Sequence, residues 1–230
     1  MPTRGMREAV AAIAMMFAAP VAAETPRELL TQASFGDHDK AVALGRINSA
    51  IQGAGIALRT APGDAEAGLM QATAIGYHAK LTGSRGEAVT ARKQFEQLIQ
   101  RNPRNAEAQL ALGAWHVGAV QRLGRFVGRA ALGAQKPAGL AALDQAVALG
   151  GNRAMFAGIS ALLRLQMDPN DPRGRQLVET AVHGSTPTPI DRIMQRAAGQ
   201  VLATLRSGNA DATQKLASRL LPFGQLPGES

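Results

Sequence analysis

One phrase occurs twice in this chain, at residues 62–69 and again at residues 103–110. Each copy begins with proline, continues with a short polar residue that can cap a helix, and opens the next helix with Ala-Glu-Ala. The two copies lie 41 residues apart. Self-similarity at a fixed period is typical of helical repeat arrays, in which each helix pair buries its apolar face against its neighbours. The repeated phrase therefore predicts a helical binding scaffold, but it does not indicate which partner the scaffold binds.

Composition favours an all-α fold. Aromatic residues make up 3% of the chain, while alanine, leucine and glycine dominate and strand-forming residues are scarce. Cysteine is absent, which excludes disulfides, thiolate metal sites and cysteine nucleophiles. A chain of this kind depends on its packed core for stability, and a stacked helical array can supply that core.

The N-terminal segment has the parts of an export signal. Arg4 and Arg7 supply positive charge, residues 9–19 form a short apolar run, and small residues follow as a cleavage site. The apolar run is shorter than the roughly 18 residues of a membrane span. We therefore predict a signal peptide at residues 1–23, a periplasmic mature protein and no transmembrane segment after cleavage. An uncleaved N-terminal anchor is the alternative.

The formal net charge of +8 allows two interpretations. A basic surface outside the cytoplasm suggests anionic neighbours such as lipid headgroups, acidic polysaccharide or an acidic protein. The other interpretation gives the charge no binding role, because arginines scattered along helices are ordinarily solvated. Nucleic acid is not an expected partner, because export removes it and no aromatic stacking platform accompanies the charge.

The residues after Ala65 resemble tetratricopeptide repeats. In that family a unit consists of helix A and helix B, with small residues where they meet, a larger apolar residue in helix B and a closing proline. The family period is 34 residues, so the first unit has seven extra residues, which we assign to a polar turn at residues 80–86. The small, apolar and proline positions are then filled by Ala72, Ala91, Phe95 and Pro103.

The second unit, starting at Ala106, repeats this arrangement. Leu112-Gly113 matches helix A, and the next unit starts at Ala154, 48 residues later. The fourteen extra residues are assigned to residues 122–135, between helices A and B. The helix-B positions are then Gly139, Leu143 and Ala146.

The predicted fold class is therefore all-α, an α-solenoid of tetratricopeptide-like helix-turn-helix repeats with extended A–B turns. The helical domain is predicted to cover residues 24–221, followed by a tail at residues 222–230. Its last helices begin after Thr188 and after Asn209, both of which are good N-cap residues. This final pair is interpreted as the cap that a solenoid needs at its end.

The resemblance implies a binding groove, because A helices line the concave face in this family. By family position, the groove is lined by Glu66, Leu69, Thr73, Tyr77, Glu107, Leu110, Ala114 and Val117. Tyr77 and Trp115 are the only tyrosine and tryptophan, and rare aromatics in a groove suit binding anchors. The alternative for a lone tryptophan among alanine and leucine is a core position.

The second extra segment contains a basic helix face. Arg122, Arg125 and Arg129 follow at three- and four-residue steps, so they share one side of a helix, while Leu123 and Phe126 lie on another. A basic amphipathic insertion suits an anionic membrane surface or an acidic ligand. The alternative is that helix A continues and packs its apolar face on the next unit.

Catalytic and metal-binding motifs are not found. The sequence has no His-Glu-x-x-His, phosphate-binding glycine loop, Gly-x-Ser-x-Gly or Ser-x-x-Lys motif. His78 and His116 occupy different repeat positions, so we expect no shared metal site. We predict a protein that is not an enzyme and has no cofactor.

The sequence thus predicts a periplasmic binding or scaffold protein that recognises a peptide or protein partner through its concave face. An exported array of this type with long A–B turns is also similar to the accessory components of TRAP-type solute transporters. The alternative is therefore an envelope or transporter accessory protein that binds a small or lipidic anion near the arginines. A cell-wall hydrolase, with a carboxylate pair hidden in the groove, is the third interpretation.

Overall fold

A computed structural model describes residues 23–227 and supports the all-α prediction: this part of the chain forms ten α-helices and no named strand. The predicted signal peptide, except for Ala23, lies outside the described residues. The helices are α1 (Pro26–Phe35), α2 (Lys40–Thr60), α3 (Ala65–Thr82), α4 (Arg85–Arg101), α5 (Ala106–Leu132), α6 (Lys136–Leu149), α7 (Ala154–Met167), α8 (Pro172–Val182), α9 (Pro189–Arg206) and α10 (Ala210–Leu220).

Side-chain caps set most of the helix starts. The carboxylate of Asp64 accepts hydrogen bonds from two backbone N–H groups of α3, and Asn105 caps α5 in the same way through one N–H. Thr188 forms a capping box with Asp191, and Asn209 caps α10. Each cap satisfies an N–H group that has no partner within its helix. The predicted helix starts at both copies of the repeated phrase and in the last helix pair are therefore confirmed.

The prediction of two extended A–B turns is wrong, because most of the extra residues are helical instead. Only Gly83 and Ser84 separate α3 from α4, since glycine adopts a left-handed φ of 78° and serine immediately caps the next helix. Leu81 within the predicted turn is 2% exposed, so its burial keeps α3 helical. Similarly, α5 breaks at Gly124 and then resumes as helix to Leu132, and residues 133–135 alone connect it to α6.

The helices alternate in their packing. Each odd-numbered helix from α1 to α7 packs on the next odd-numbered helix, and the even-numbered helix between them packs on both. The α5–α6 contact is close, because a Cβ on Gly139 would lie 2.9 Å from the His116 Cβ and 3.0 Å from a Val117 methyl group. Gly113 faces Leu143 equally closely. Small residues thus lie at the helix contact where the sequence predicted them.

Helix α10 departs from this alternation by packing on α7 and α9. The chain then crosses to the other end of the molecule. We call residues 221–226 the C-terminal segment. The odd-numbered helices have a surface that is covered by this segment and by α10, and we call that surface the inner face. The Phe223 N–H donates to the Ser34 carbonyl of α1 at 2.9 Å, and Lys80 Nζ of α3 donates to the Pro222 carbonyl at 2.8 Å.

The C-terminal segment is part of the core. Phe223 is 1% exposed and Leu226 is 2% exposed, and both belong to the apolar cluster formed by α1 to α5. A second cluster joins α5 to α10. The packed domain therefore extends beyond the boundary predicted at residue 221, and residues 222–226 of the predicted tail are structural.

Candidate partner-binding site

Charged side chains form a ladder across the N-terminal ends of the odd-numbered helices. We call this region the mouth and define it by Arg27 of α1, Glu66 of α3, Glu107 of α5, Arg153 before α7 and Asp191 of α9. The three carboxylates suit the partial positive charge of a helix N-terminus, and the two arginines do not. The arginines are therefore held there by their ion pairs.

Arg27 bridges two helices. Its Nε and Nη2 donate to both carboxylate oxygens of Glu66 at 2.7 and 2.6 Å, and Nη2 also donates to Glu107 at 2.7 Å. The hydrogen bonding of Arg27 to Glu66 is the main cause that raises the pKa of Arg27, and the charge of Glu107 adds to it against the opposing effect of burial. A bidentate pair of this kind fixes the orientation of the guanidinium as well as its position.

Arg153 continues the ladder to α9. Its Nη2 donates to Asp191 Oδ2 at 3.0 Å and its Nη1 to Glu107 at 3.4 Å. The other oxygen of Asp191 accepts the Met155 N–H at 2.9 Å. Burial alone would raise the pKa of Asp191, but hydrogen bonds from Thr188, Met155 and Arg153 outweigh it and lower that pKa. The buried carboxylate is thus fully partnered and serves to orient Arg153.

An open cavity of about 360 Å³ lies in the mouth. Its walls are the first residues of α3 and α5 and the connection between α6 and α7, and side chains of Leu69 and Phe156 contribute its apolar floor. The Glu66 side chain remains 55% exposed despite its ion pair. Ligand pockets commonly span about 300–1,000 Å³, so this cavity suits one or two anchoring side chains of a partner.

The predicted groove residues divide into three groups. Glu66 and Glu107 lie in the mouth, while Thr73 and Ala114 are half-buried on α3 and α5. Three of the apolar ones are buried, namely Leu69, Leu110 and Val117, with 4%, 6% and 0% exposure. Leu110 and Val117 are core residues in this conformation, and Leu69 offers only its edge to the cavity.

Tyr77 contacts the C-terminal segment. The rings of Tyr77 and Phe223 meet edge to face, with their centroids 4.9 Å apart. Burial raises the pKa of Tyr77, and a hydrogen bond with Ser34 partly opposes that effect. The inner face at this point is thus occupied by a residue of the same chain.

Trp115 packs between helices, as the alternative interpretation of a lone tryptophan expects. Its Nε1 donates to the Ala88 carbonyl of α4 at 2.9 Å, and Arg92 lies 5.8 Å from the ring centroid. The adjacent His116 is 6% exposed, and burial together with the charge of Arg92 lowers its pKa to about 4. Both side chains are structural in this arrangement.

The arginine-rich insertion is a short helical hairpin at the end of α5. Gly124 leaves the helical conformation with φ 76° and ψ 164°, a left-handed φ that favours glycine. The chain then folds back, so that a Cβ on Gly128 would lie 3.3 Å from the Ala119 carbonyl oxygen. We call residues 122–129 the α5 tip. Helix A thus neither continues straight nor forms an irregular loop.

Two arginines fasten the hairpin to the rest of the molecule. Arg122 Nη1 donates to the Lys80 carbonyl at the end of α3 at 2.8 Å. Arg85 Nε, at the start of α4, donates to the Ala131 carbonyl of the returning helical arm of the hairpin at 2.9 Å. The orientation of the α5 tip is therefore defined by side-chain to backbone bonds from both sides.

Sequence reasoning missed several members of this site. Arg27, Arg153 and Asp191 lie at first-turn or N-cap positions of the odd-numbered helices α1, α7 and α9, and that shared position was the available signal. Phe223 gave no local signal. Within residues 23–227 no group of three or more His, Asp or Glu side chains is arranged to hold a metal ion, and no helix there is long and apolar enough to cross a membrane.

Comparison of the chain with protein-family models, with curated proteins and with solved structures found no match.

Proposed function

We propose that this protein is an exported, tetratricopeptide-like solenoid that binds a peptide or protein partner at the mouth and the adjoining inner face. The alternating contacts of α1 to α9 support the solenoid interpretation, because stacking of helix pairs on their neighbours is characteristic of repeat proteins. The odd-numbered helices correspond to the A helices that line the binding face in that family.

The observation that carries the proposal is the way the inner face holds the C-terminal segment. A short stretch of chain lies across two odd-numbered helices, inserts Phe223 against Tyr77 and forms one main-chain hydrogen bond to Ser34. Recognition of a peptide in trans uses the same elements, an aromatic anchor and main-chain bonds. The cavity in the mouth lies at the opposite, N-terminal ends of these helices and stays open to a second segment.

The mouth defines the chemistry of the expected partner. The apolar floor at Leu69 and Phe156 suits a hydrophobic side chain, and the exposed carboxylate of Glu66 suits a donor such as lysine, arginine or a backbone N–H. Because Arg27 already pairs with Glu66 and Glu107, a partner has to add hydrogen bonds without breaking the ladder. A segment that is part apolar and part basic fits these requirements.

The test fills the cavity without disturbing the core. Ala65, the first residue of α3, is exposed and lines the cavity, whereas Ala41 is exposed in the first turn of α2 and lies elsewhere. We expect the tagged full chain and Ala41→Trp to capture one dominant partner from periplasm after crosslinking, and Ala65→Trp to capture at least tenfold less. Equal capture by Ala65→Trp, or no partner for the unaltered protein, contradicts the proposal.

Tyr77 and Trp115 are unsuitable for that test, because both side chains pack inside the domain and their removal changes stability.

Export of the protein is tested by a separate measurement. Mass spectrometry of the protein from a periplasmic fraction should give an N-terminus at Glu24. A chain that retains residues 1–23 supports the uncleaved anchor instead.

A further inference from the structure

The α5 tip exposes apolar side chains that a packed domain normally buries. Phe126 is 78% exposed, Val127 is 56% exposed and Leu123 is 37% exposed. The other large exposed hydrophobic residues of residues 23–227, Val42 and Ile56, lie on α2. Adjacent exposed apolar residues on one projecting hairpin mark an interaction surface more strongly than scattered ones do.

The charged side chains of this stretch of sequence have a single sign. Arg122, Arg125 and Arg129 belong to the α5 tip, and no aspartate or glutamate occurs in the sequence between Glu107 and Asp144. Arg85 is fastened to the same hairpin through its bond to the Ala131 carbonyl. The guanidinium of Arg125 lies 4.9 Å from the Phe126 ring centroid, so cation and aromatic ring project together.

We propose that the α5 tip docks the protein on an anionic lipid bilayer surface. The tip is a projecting hairpin whose side chains at residues 122–127 are exposed, and the two described cavities lie at other residues. Aromatic and aliphatic side chains surrounded by arginine are suited to the boundary between headgroups and acyl chains, where the apolar groups insert and the cations contact phosphate. Charge complementarity therefore selects phospholipid of negative charge.

The orientation follows from the bonds that hold the hairpin. Arg122 and Arg85 are engaged with backbone carbonyls at 2.8 and 2.9 Å, so they position the tip. Arg125 and Arg129 are exposed farther along it and supply the membrane contact together with Phe126. The tip shares no residue with the mouth, so membrane docking and partner binding are independent and fail independently.

The experiment measures binding of the full mature chain to sedimented vesicles of phosphatidylglycerol and phosphatidylcholine at 0.1 M salt. Arg125→Gln with Arg129→Gln should weaken binding roughly 30-fold, since each arginine near an anionic surface contributes about fivefold, or about 1 kcal/mol. Arg104→Gln with Arg206→Gln, which removes the same net charge at exposed positions elsewhere, should change it less than threefold. Phe126→Ser should weaken it several-fold.

Three results overturn the proposal. The first is no sedimentation with vesicles that contain phosphatidylglycerol. The second is an equal loss in the two double-arginine variants, which would mean that net charge alone attracts the protein. The third is binding to soluble polyglutamate that is as tight as binding to vesicles and insensitive to Phe126→Ser, which would identify an acidic polypeptide as the partner.

A direct readout of insertion completes the test. In a Trp115→Phe background, Phe126→Trp places the single tryptophan at the α5 tip. Its emission should shift to shorter wavelength and become protected from acrylamide when phosphatidylglycerol vesicles are added. Unchanged emission with vesicle-bound protein contradicts insertion.

Discussion

Truncation of Phe223 is the perturbation that most sharply tests the role of the C-terminal segment. Phe223 is 1% exposed and packs against Tyr77, although the sequence places it in a tail. Replacement of a buried phenylalanine by alanine costs about 3–5 kcal/mol through lost burial and the cavity that remains. The edge-to-face ring contact contributes within that range.

The expected change in melting temperature is large. For a domain of this size a loss of 1 kcal/mol lowers Tm by about 2–4 °C, so Phe223→Ala should lower it by roughly 6–20 °C. The chain offers a matched control in Phe126→Ala, because Phe126 is 78% exposed. Exposed substitutions usually change stability by less than about 0.5 kcal/mol, so this variant should melt within about 2 °C of the unaltered protein.

Urea unfolding followed by two signals separates local from global loss. Circular dichroism reports all helices, while fluorescence of Trp115 reports the cluster that contains Phe223. Repeat proteins can unfold in steps, so we expect the fluorescence midpoint of Phe223→Ala to fall at least as far as the circular dichroism midpoint. If Phe223→Ala and Phe126→Ala are equally stable, the C-terminal segment does not close the fold and the argument is refuted.

Two further predictions concern the α5–α6 contact. Gly139→Ala should destabilise the protein by about 1–3 kcal/mol, because the new Cβ meets His116 and Val117 at 3.0 Å or less. Gly118→Ala is the control, because its new Cβ has no neighbour within 4 Å outside its own stretch of helix, and it should stabilise the protein by about 0.5–1 kcal/mol. Urea unfolding measures both changes. Because the pKa of His116 is lowered to about 4 from 6.5, its contribution to stability is complete above pH 6.5 and falls by about 3 kcal/mol as pH drops to 4. His116→Asn should flatten that part of the Tm-against-pH profile, and an identical profile would contradict a buried neutral His116.

Local capping chemistry made the helix starts predictable. Asn105 and Thr188 each accept a hydrogen bond from the N–H group three residues later, so their effect can be recognised in a few letters of sequence. The lengths of the connections were not predictable in this way. The burial of Leu81 kept α3 helical to Thr82, and burial depends on helices that are distant in sequence.

The site was harder to predict because its decisive contacts are long-range. Gly118, Gly124 and Gly128 all occur in one apolar helix, yet only Gly124 leaves the helical conformation, where the hairpin folds Gly128 onto Ala119. Similarly, Phe223 reaches α1 and α3 through the path of α10, which no local pattern encodes. The arginines of the tip were recognised from their spacing, but their exposure required the fold.

The central claim is that the mouth contacts a partner, and site-specific photocrosslinking in intact cells tests it most directly. A benzophenone amino acid replaces either Ala65, which lines the cavity, or Ala41, which is equally exposed on α2. The account predicts one discrete crosslinked product from position 65 and none of that mass from position 41. No product from position 65, or the same product from both positions, would contradict it.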